Sequence, residues 1–346
     1  MSSPQSCALS PRACGVCRKQ EDLIRCPGCL VVYYCGRDHQ AIDRKLHEEG
    51  CTETEKALAR LEKEEQTLRD HPGGMFENGV GRFFKIKETR QYMRVRKQVV
   101  TTLLQTFGAA GGRADAVRTA LDHILDMLRL GRGDYMGVRD VAPTLFIRLN
   151  RDQEAYDFVK WYATTGSPSH CAWDDLDLPF LDIKGADVLE PPMENWANSR
   201  WIKMIHVVAV ILIKVRVLLD LQAAINTTRA LQGSIPEEMI GLICEQIVGS
   251  TLRSRPEVLH RGTEEISGHV GTIKGHIRDL YRSVNEYNPH FWRLMLKNPD
   301  KAAARKPYCY SLQSEEEACS VISYSLASWI ETPGSFDVMR SVSQTA

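Results

Sequence analysis

A chain of 346 residues exceeds the roughly 100 to 200 of one domain, so a core-bearing domain plus a further module is expected. Lysine and arginine number 44, aspartate and glutamate 44, which excludes a global basic field that would draw nucleic acid or an anionic membrane surface. The longest apolar stretch, Met204 to Ile213, is about half of the roughly 20 residues a bilayer span needs, and Lys203, Lys214 and Arg216 flank it, so it reads as a buried helix.

In chain order, residues 1–13 carry no basic segment followed by an apolar run, so they read as a disordered N-terminus and not as a secretory signal. Intracellular residence, in nucleus or cytoplasm, is the expectation. Seven of the eleven cysteines lie in the first 51 residues, while Cys171, Cys244, Cys309 and Cys319 are scattered. In a reducing compartment such clustering means metal. Four pairs follow one another: Cys14 with Cys17, Cys26 with Cys29, Cys35 with His39, and His47 with Cys51. Short spacings let one turn of backbone, or one turn of helix, present two ligands to a tetrahedral zinc ion. Eight ligands make two closed sites, with no position left for a catalytic water. Consecutive and interleaved pairing are both open on spacing alone. Cys7 remains over, and an unused thiol on a mobile tail is its ordinary reading.

The runs CGVC, RCPGC, YYCGRDHQ and HEEGC resemble the MYND finger, over residues 14–51. The resemblance implies cross-bracing, with one zinc on Cys14, Cys17, Cys35 and His39 and the other on Cys26, Cys29, His47 and Cys51. His39 stands where many members have cysteine. The 38 residues are too few to bury a core, so metal binding supplies most of the folding free energy, on the order of 10 kcal/mol per site. The resemblance also implies docking of short, often proline-rich peptides. Of the family's groove residues this chain keeps Gln40 and Asp43 but has Arg44 where a tryptophan is expected, removing the aromatic face that receives proline. Val31, Val32, Tyr33 and Tyr34 offer apolar surface for a partner, or else pack around the metals.

Residues 52–72 read as a charged helical connector, capped by Thr52 or Thr54 and stopped by His71-Pro72-Gly73-Gly74, and residues 73–82 read as a hinge. From residue 83 to 331 the periodicity is helical throughout. Val117, Leu121, Ile124, Leu125 and Leu128 share one face, as do Val141, Leu145 and Leu149, then Ala155, Phe158, Val159 and Tyr162. Asp140 and Asn150 are candidate N-caps, and Pro143 suits a first turn. The stretch from Gly133 to Trp161 resembles the helical hairpins of tetratricopeptide-like proteins, although a second copy of the motif is not evident. Residues 166–200 break the pattern with prolines and the acids Asp174, Asp175, Asp177 and Asp182. An acidic surface loop is their ordinary reading, and a divalent-cation site the sharper one. Helices resume at Trp201, with His206 as a core histidine. Capping boxes at Ser234 with Glu237 and Ser314 with Glu317 start later helices, and residues 332–346 read as a disordered tail.

These readings define the fold class: a small zinc-stabilised MYND finger followed by an all-α domain, part of which resembles tetratricopeptide-like hairpins. The whole arrangement resembles fungal MYND-finger proteins with a long helical C-terminal region. Lysine methyltransferases in which a MYND finger interrupts a SET domain are the enzymatic alternative, but the SET asparagine-histidine and glycine-glutamate signatures do not occur. A phosphate loop, nucleophile elbow or H-E-x-x-H motif does not occur either. The helix around residues 40–50 sets Arg44 and Lys45 against Asp43, Glu48 and Glu49, unlike a DNA-reading finger. The stretch from Lys85 to Lys97, with Arg90, Arg94 and Arg96, is the most basic and reads as a solvated helix face. The expectation is a non-enzymatic adaptor holding two zinc ions and taking peptide motifs of protein partners, with Gln40, Arg44, Tyr33 and Tyr34 as the candidate contact residues. Nucleic acid, membrane and small-molecule substrates are not expected partners.

Overall fold

The computed structural model describes residues 8–166, 173, 175–197, 202–259, 262–305, 307 and 309–345. Cys7, Cys171, Asp174 and Trp201 lie outside them. The chain divides into two compact units, one running to Leu149 with the segment that ends at Phe180, the other taking Asn150 onward and everything from Leu181. The boundary expected at residue 83 therefore falls inside the first unit, where the finger and the helices that follow it as far as Leu149 lie together.

In that unit a two-stranded antiparallel ribbon, β1 (Ile24–Arg25) and β2 (Tyr33–Tyr34), precedes a 33-residue helix, α1 (Arg37–Arg69). Helix α1 runs without a break through Thr52 and Thr54. Neither caps a separate connector, and the Thr54 hydroxyl donates back to the Gly50 carbonyl at 2.9 Å. The buried residues of α1, Thr54, Leu61 and Leu68, recur every seven positions, or about two turns, and so form one stripe. That stripe packs on α3 (Arg90–Thr106), which packs on α4 (Ala114–Leu130). Gly50 permits the approach of α1 to the end of α3: a Cβ there would lie 2.3 Å from Thr106 Cγ2.

Residues 73–82 are not a free hinge. They hold α2 (Met75–Asn78), and Phe76 packs at 5.5 Å from Phe83 and 5.4 Å from Tyr92. Ser10 to Ala13, expected as disordered, are tied down: Ser10 N–H donates to the Gly112 carbonyl at 2.7 Å, and Arg12 pairs with Asp115 at 2.7 Å. Asp134, not Asp140, caps the turn before α5 (Ala142–Arg148), its carboxylate accepting from the Val138 and Arg139 amides. Much of the basic stretch turns inward. Arg96 bonds Tyr92, His123 and Asp126, and Lys97 donates to the Met136 carbonyl at 2.7 Å.

The second unit starts with α6 (Asp152–Ala163), whose N-cap is Arg151, not Asn150. The presumed hairpin thus spans the unit division, with a seven-residue α5 on one side and α6 on the other. After α7 (Glu194–Ala197) comes α8 (Met204–Leu231), buried on every side from Met204 to Val215. An all-round apolar helix belongs at the centre of a core. The unit continues with α9 (Glu237–Ile247), α10 (Ser250–Arg253), α11 (Pro256–Leu259), α12 (Thr263–Tyr287), α13 (His290–Lys297), α14 (Pro299–Ala304), α15 (Glu315–Ile330) and α16 (Ser335–Thr345). Helix α12 makes the most extensive contact with α8. Pro236 takes the N-cap of α9 expected for Ser234, whereas Ser314 Oγ does accept from the Glu317 amide at 3.1 Å. The tail expected to be disordered is helix α16, anchored by buried Ser335 and Met339.

Lys214 is fully buried at the middle of α8, its ammonium donating to the carbonyls of Val188 at 3.0 Å and Glu190 at 2.8 Å. Burial lowers its pKa to about 8. His206 is buried beside the rings of Phe158 and Tyr162. Among the described residues no helix is long and apolar enough to cross a membrane.

Candidate metal centres and the adjoining groove

Each Cys-x-x-Cys pair sits on a tight turn made the same way. The Arg18 amide donates to the Cys14 carbonyl and the Leu30 amide to the Cys26 carbonyl. Arg18 and Leu30, each just after the second cysteine of its pair, are left-handed, with φ of 66° and 60°. The β1–β2 ribbon joins the turns, with Cys14 donating to the Lys19 carbonyl, Gly15 to Tyr33 and Cys26 to Val32. Helix α1 then supplies His39, His47 and Cys51, the last two four residues apart and so on one face. Gly28 keeps the second turn clear, since a Cβ there would meet Cys51 Sγ at 2.9 Å.

The result is two interleaved sets, Cys14, Cys17, Cys35 and His39, and Cys26, Cys29, His47 and Cys51, with all donor atoms of each within 4.8 Å of one another. In the first, Cys17 Sγ lies 3.5 Å from Cys35 Sγ, and His39 Nδ1 lies 3.4 Å from Cys14 Sγ and 3.0 Å from Cys35 Sγ. In the second, Cys26 Sγ lies 3.6 Å from Cys51 Sγ, and His47 Nε2 lies 3.3 Å from Cys26 Sγ and 3.6 Å from Cys29 Sγ. Zinc bonds of about 2.3 Å to sulfur and 2.0 Å to nitrogen give a tetrahedron with edges of about 3.5 to 3.8 Å, so both sets fit a zinc ion.

The donors suit a cation electrostatically. Burial penalises the Cys14 thiolate, but the amides of Cys17, Val16 and Cys35 outweigh it and bring its pKa down to about 6. Burial and the neighbouring Cys26 push Cys51 up to about 12, and the hydrogen bond with Cys17 leads the rise of Cys35 to about 11. Three thiolates so close ionise together only with a positive ion between them. Burial lowers the pKa of His47, which keeps its imidazole neutral and its nitrogen a donor. Tyr34 and Phe107 hold that ring from two sides, at 6.1 and 5.7 Å.

The aromatic and apolar candidates divide. Val31, Val32 and Tyr34 are enclosed in the finger, and the Tyr34 hydroxyl donates to Asp43 at 2.7 Å, so the partner surface expected of them is packing instead. Tyr33 is half-buried beneath the Arg12 guanidinium, 4.6 Å above its ring. Gln40 and Arg44, by contrast, line one groove of about 370 Å³ with Arg37, Ala41, Glu48 and Thr52, walled by Cys26, His47 and Cys51 of the second ligand set. Positions 37, 40, 41, 44 and 48 follow helical spacing along a single face of α1, a pattern that names Arg37, Ala41 and Glu48 once Gln40 and Arg44 are suspected. Of the acids read as a surface loop, with a cation site as the sharper alternative, none joins a ligand cluster among the described residues, where Asp182 accepts from Trp161 Nε1 at 2.9 Å and Asp175 from the Asp177 amide.

Residues 14–51 match the MYND finger family. The chain is 44% identical over 57 residues to the histone-lysine N-methyltransferase ASHR1 of Arabidopsis thaliana, a match covering 16% of this chain. It spans only 11% of that relative's length. No solved structure matches. The protein thus carries a two-zinc MYND finger at its N-terminal end, followed by helices.

Proposed function

We propose that this chain is a non-catalytic, intracellular interaction protein whose finger docks short peptide segments of partner proteins. The groove carries the reading: Gln40 and Arg44, set four residues apart on α1, line one cavity of peptide-side-chain size against the second ligand set. Four protein donors per zinc leave neither ion a place for water or substrate, which supports a structural and not a hydrolytic role. The likeness to a methyltransferase lies in the finger and does not reach the helical remainder, so it adds no weight to an enzymatic reading.

A peptide library displayed against the zinc-loaded full-length chain tests this. Selected binders should lose about tenfold or more in affinity to a Gln40→Ala, Arg44→Ala double variant, and nearly all affinity to Cys26→Ser. Binders indifferent to both changes would place recognition elsewhere and overturn the reading. Calorimetry with S-adenosylmethionine should give no saturable heat, and saturable binding would return the chain to the methyltransferases.

A further inference from the structure

We infer that the groove selects peptides bearing an aspartate or glutamate, with Arg44 as the specificity-determining residue; the inference rests on the peptide-docking reading above. Its basis is the hydrogen-bonding capacity that the groove has left to give. Arg37 Nη1 donates to Gln40 Oε1 at 2.8 Å. A guanidinium has only donors, so this bond fixes the amide, using its oxygen and leaving the two N–H groups of Nε2 for a ligand. Arg44, one turn along the same face, is exposed and pairs with no carboxylate among the described residues. Arg37 and Arg44 therefore offer donors alone, and Gln40 turns its amide N–H groups to the groove.

A ligand must bring the acceptors. A peptide backbone supplies carbonyls to Gln40, and a carboxylate supplies the planar, two-oxygen partner that a guanidinium binds by two parallel bonds. Glu48 is the one carboxylate among the residues lining the groove, a turn beyond Arg44. It repels a second acid at that end and so confines the ligand's carboxylate to the Arg37 and Arg44 end. The occupied second site carries one excess negative charge on three thiolates, so recognition is a local pairing and not a long-range field. Phenylalanine, tyrosine and tryptophan are absent from the lining. Proline rings and unpaired bases, which need an aromatic face, thus have little to stack on. Ala41 and the sulfur-lined wall leave room for a small apolar side chain beside the acid.

The same display selection, run with the zinc-loaded full chain and with Arg44→Glu, decides the matter. The parent should enrich one acidic position, and the charge-reversed variant should bind those peptides about tenfold or more weakly and enrich lysine or arginine there. Lys45→Glu, an exposed change on the next residue and outside the groove lining, should hold affinity within about twofold. Zinc content checks that each variant keeps its finger. Parent binders without an acidic position, or equal loss with Lys45→Glu, would overturn the selectivity while leaving peptide docking intact. Failure to select any peptide would overturn both.

Discussion

The finger and the α8 core solve one problem by different means. Residues 14–51 have few apolar side chains to bury, so eight Cys and His donors converge on two metal positions, and the ribbon and turns exist to aim them. Helix α8 relies on apolar packing instead: from Met204 to Val215 every side chain is buried among α6, α9, α12, α15 and α16. Stability in the first region is concentrated in a few bonds and vanishes when one donor goes. In the second it is spread over many contacts and declines by degrees.

Removing a donor should give the largest effect. Cys26→Ser, or a strong chelator, should forfeit on the order of 10 kcal/mol of folding free energy at that site. Circular dichroism should lose the start of α1 while retaining most of the helical signal; complete collapse would make the two regions one cooperative structure. Next comes the diffuse core. Leu212→Ala on α8 should cost about 2 to 5 kcal/mol in denaturant unfolding, with zinc content unchanged. Loss of zinc in that variant would break the separation.

Lys214 sharpens the contrast, since it is the charged group inside the apolar helix. Its pKa is lowered from 10.5 to about 8, so between those values the unfolded chain binds more protons and stability must rise with pH. The rise should be on the order of 3 kcal/mol and absent from Lys214→Met, as read by melting across that window. A flat profile in the parent would show the ammonium to be better solvated than its burial implies. Smallest is the Ser314 cap, where Ser314→Ala should cost about 1 kcal/mol and leave both zinc content and groove binding unchanged.

The metal centres were legible because their information is local: Cys-x-x-Cys pairs three residues apart on turns, and Cys35 with His39 and His47 with Cys51 each four residues apart. The interleaving of the pairs came from the resemblance to MYND fingers and not from spacing, which permits either order; the ribbon of β1 and β2 realises it. The Ser314 box was readable and the Ser234 box misleading, since Pro236 fixes its own φ and starts α9 two residues later. Met339 and Ser335 show why the tail misled: a polar segment becomes a helix when two buried side chains find a surface prepared elsewhere in its unit.

By itself the sequence determined the donor set and the helical class, since each rests on residue type and short-range spacing, while Gln40 and Arg44 came from the resemblance to MYND fingers. Tertiary structure alone decided that α1 is one helix serving both the finger and α3, and that Tyr34 packs inward. It also decided that Arg37 turns the Gln40 amide so that the groove offers donors. These outcomes depend on which face of a long helix meets which neighbour, and no local pattern in the chain encodes that.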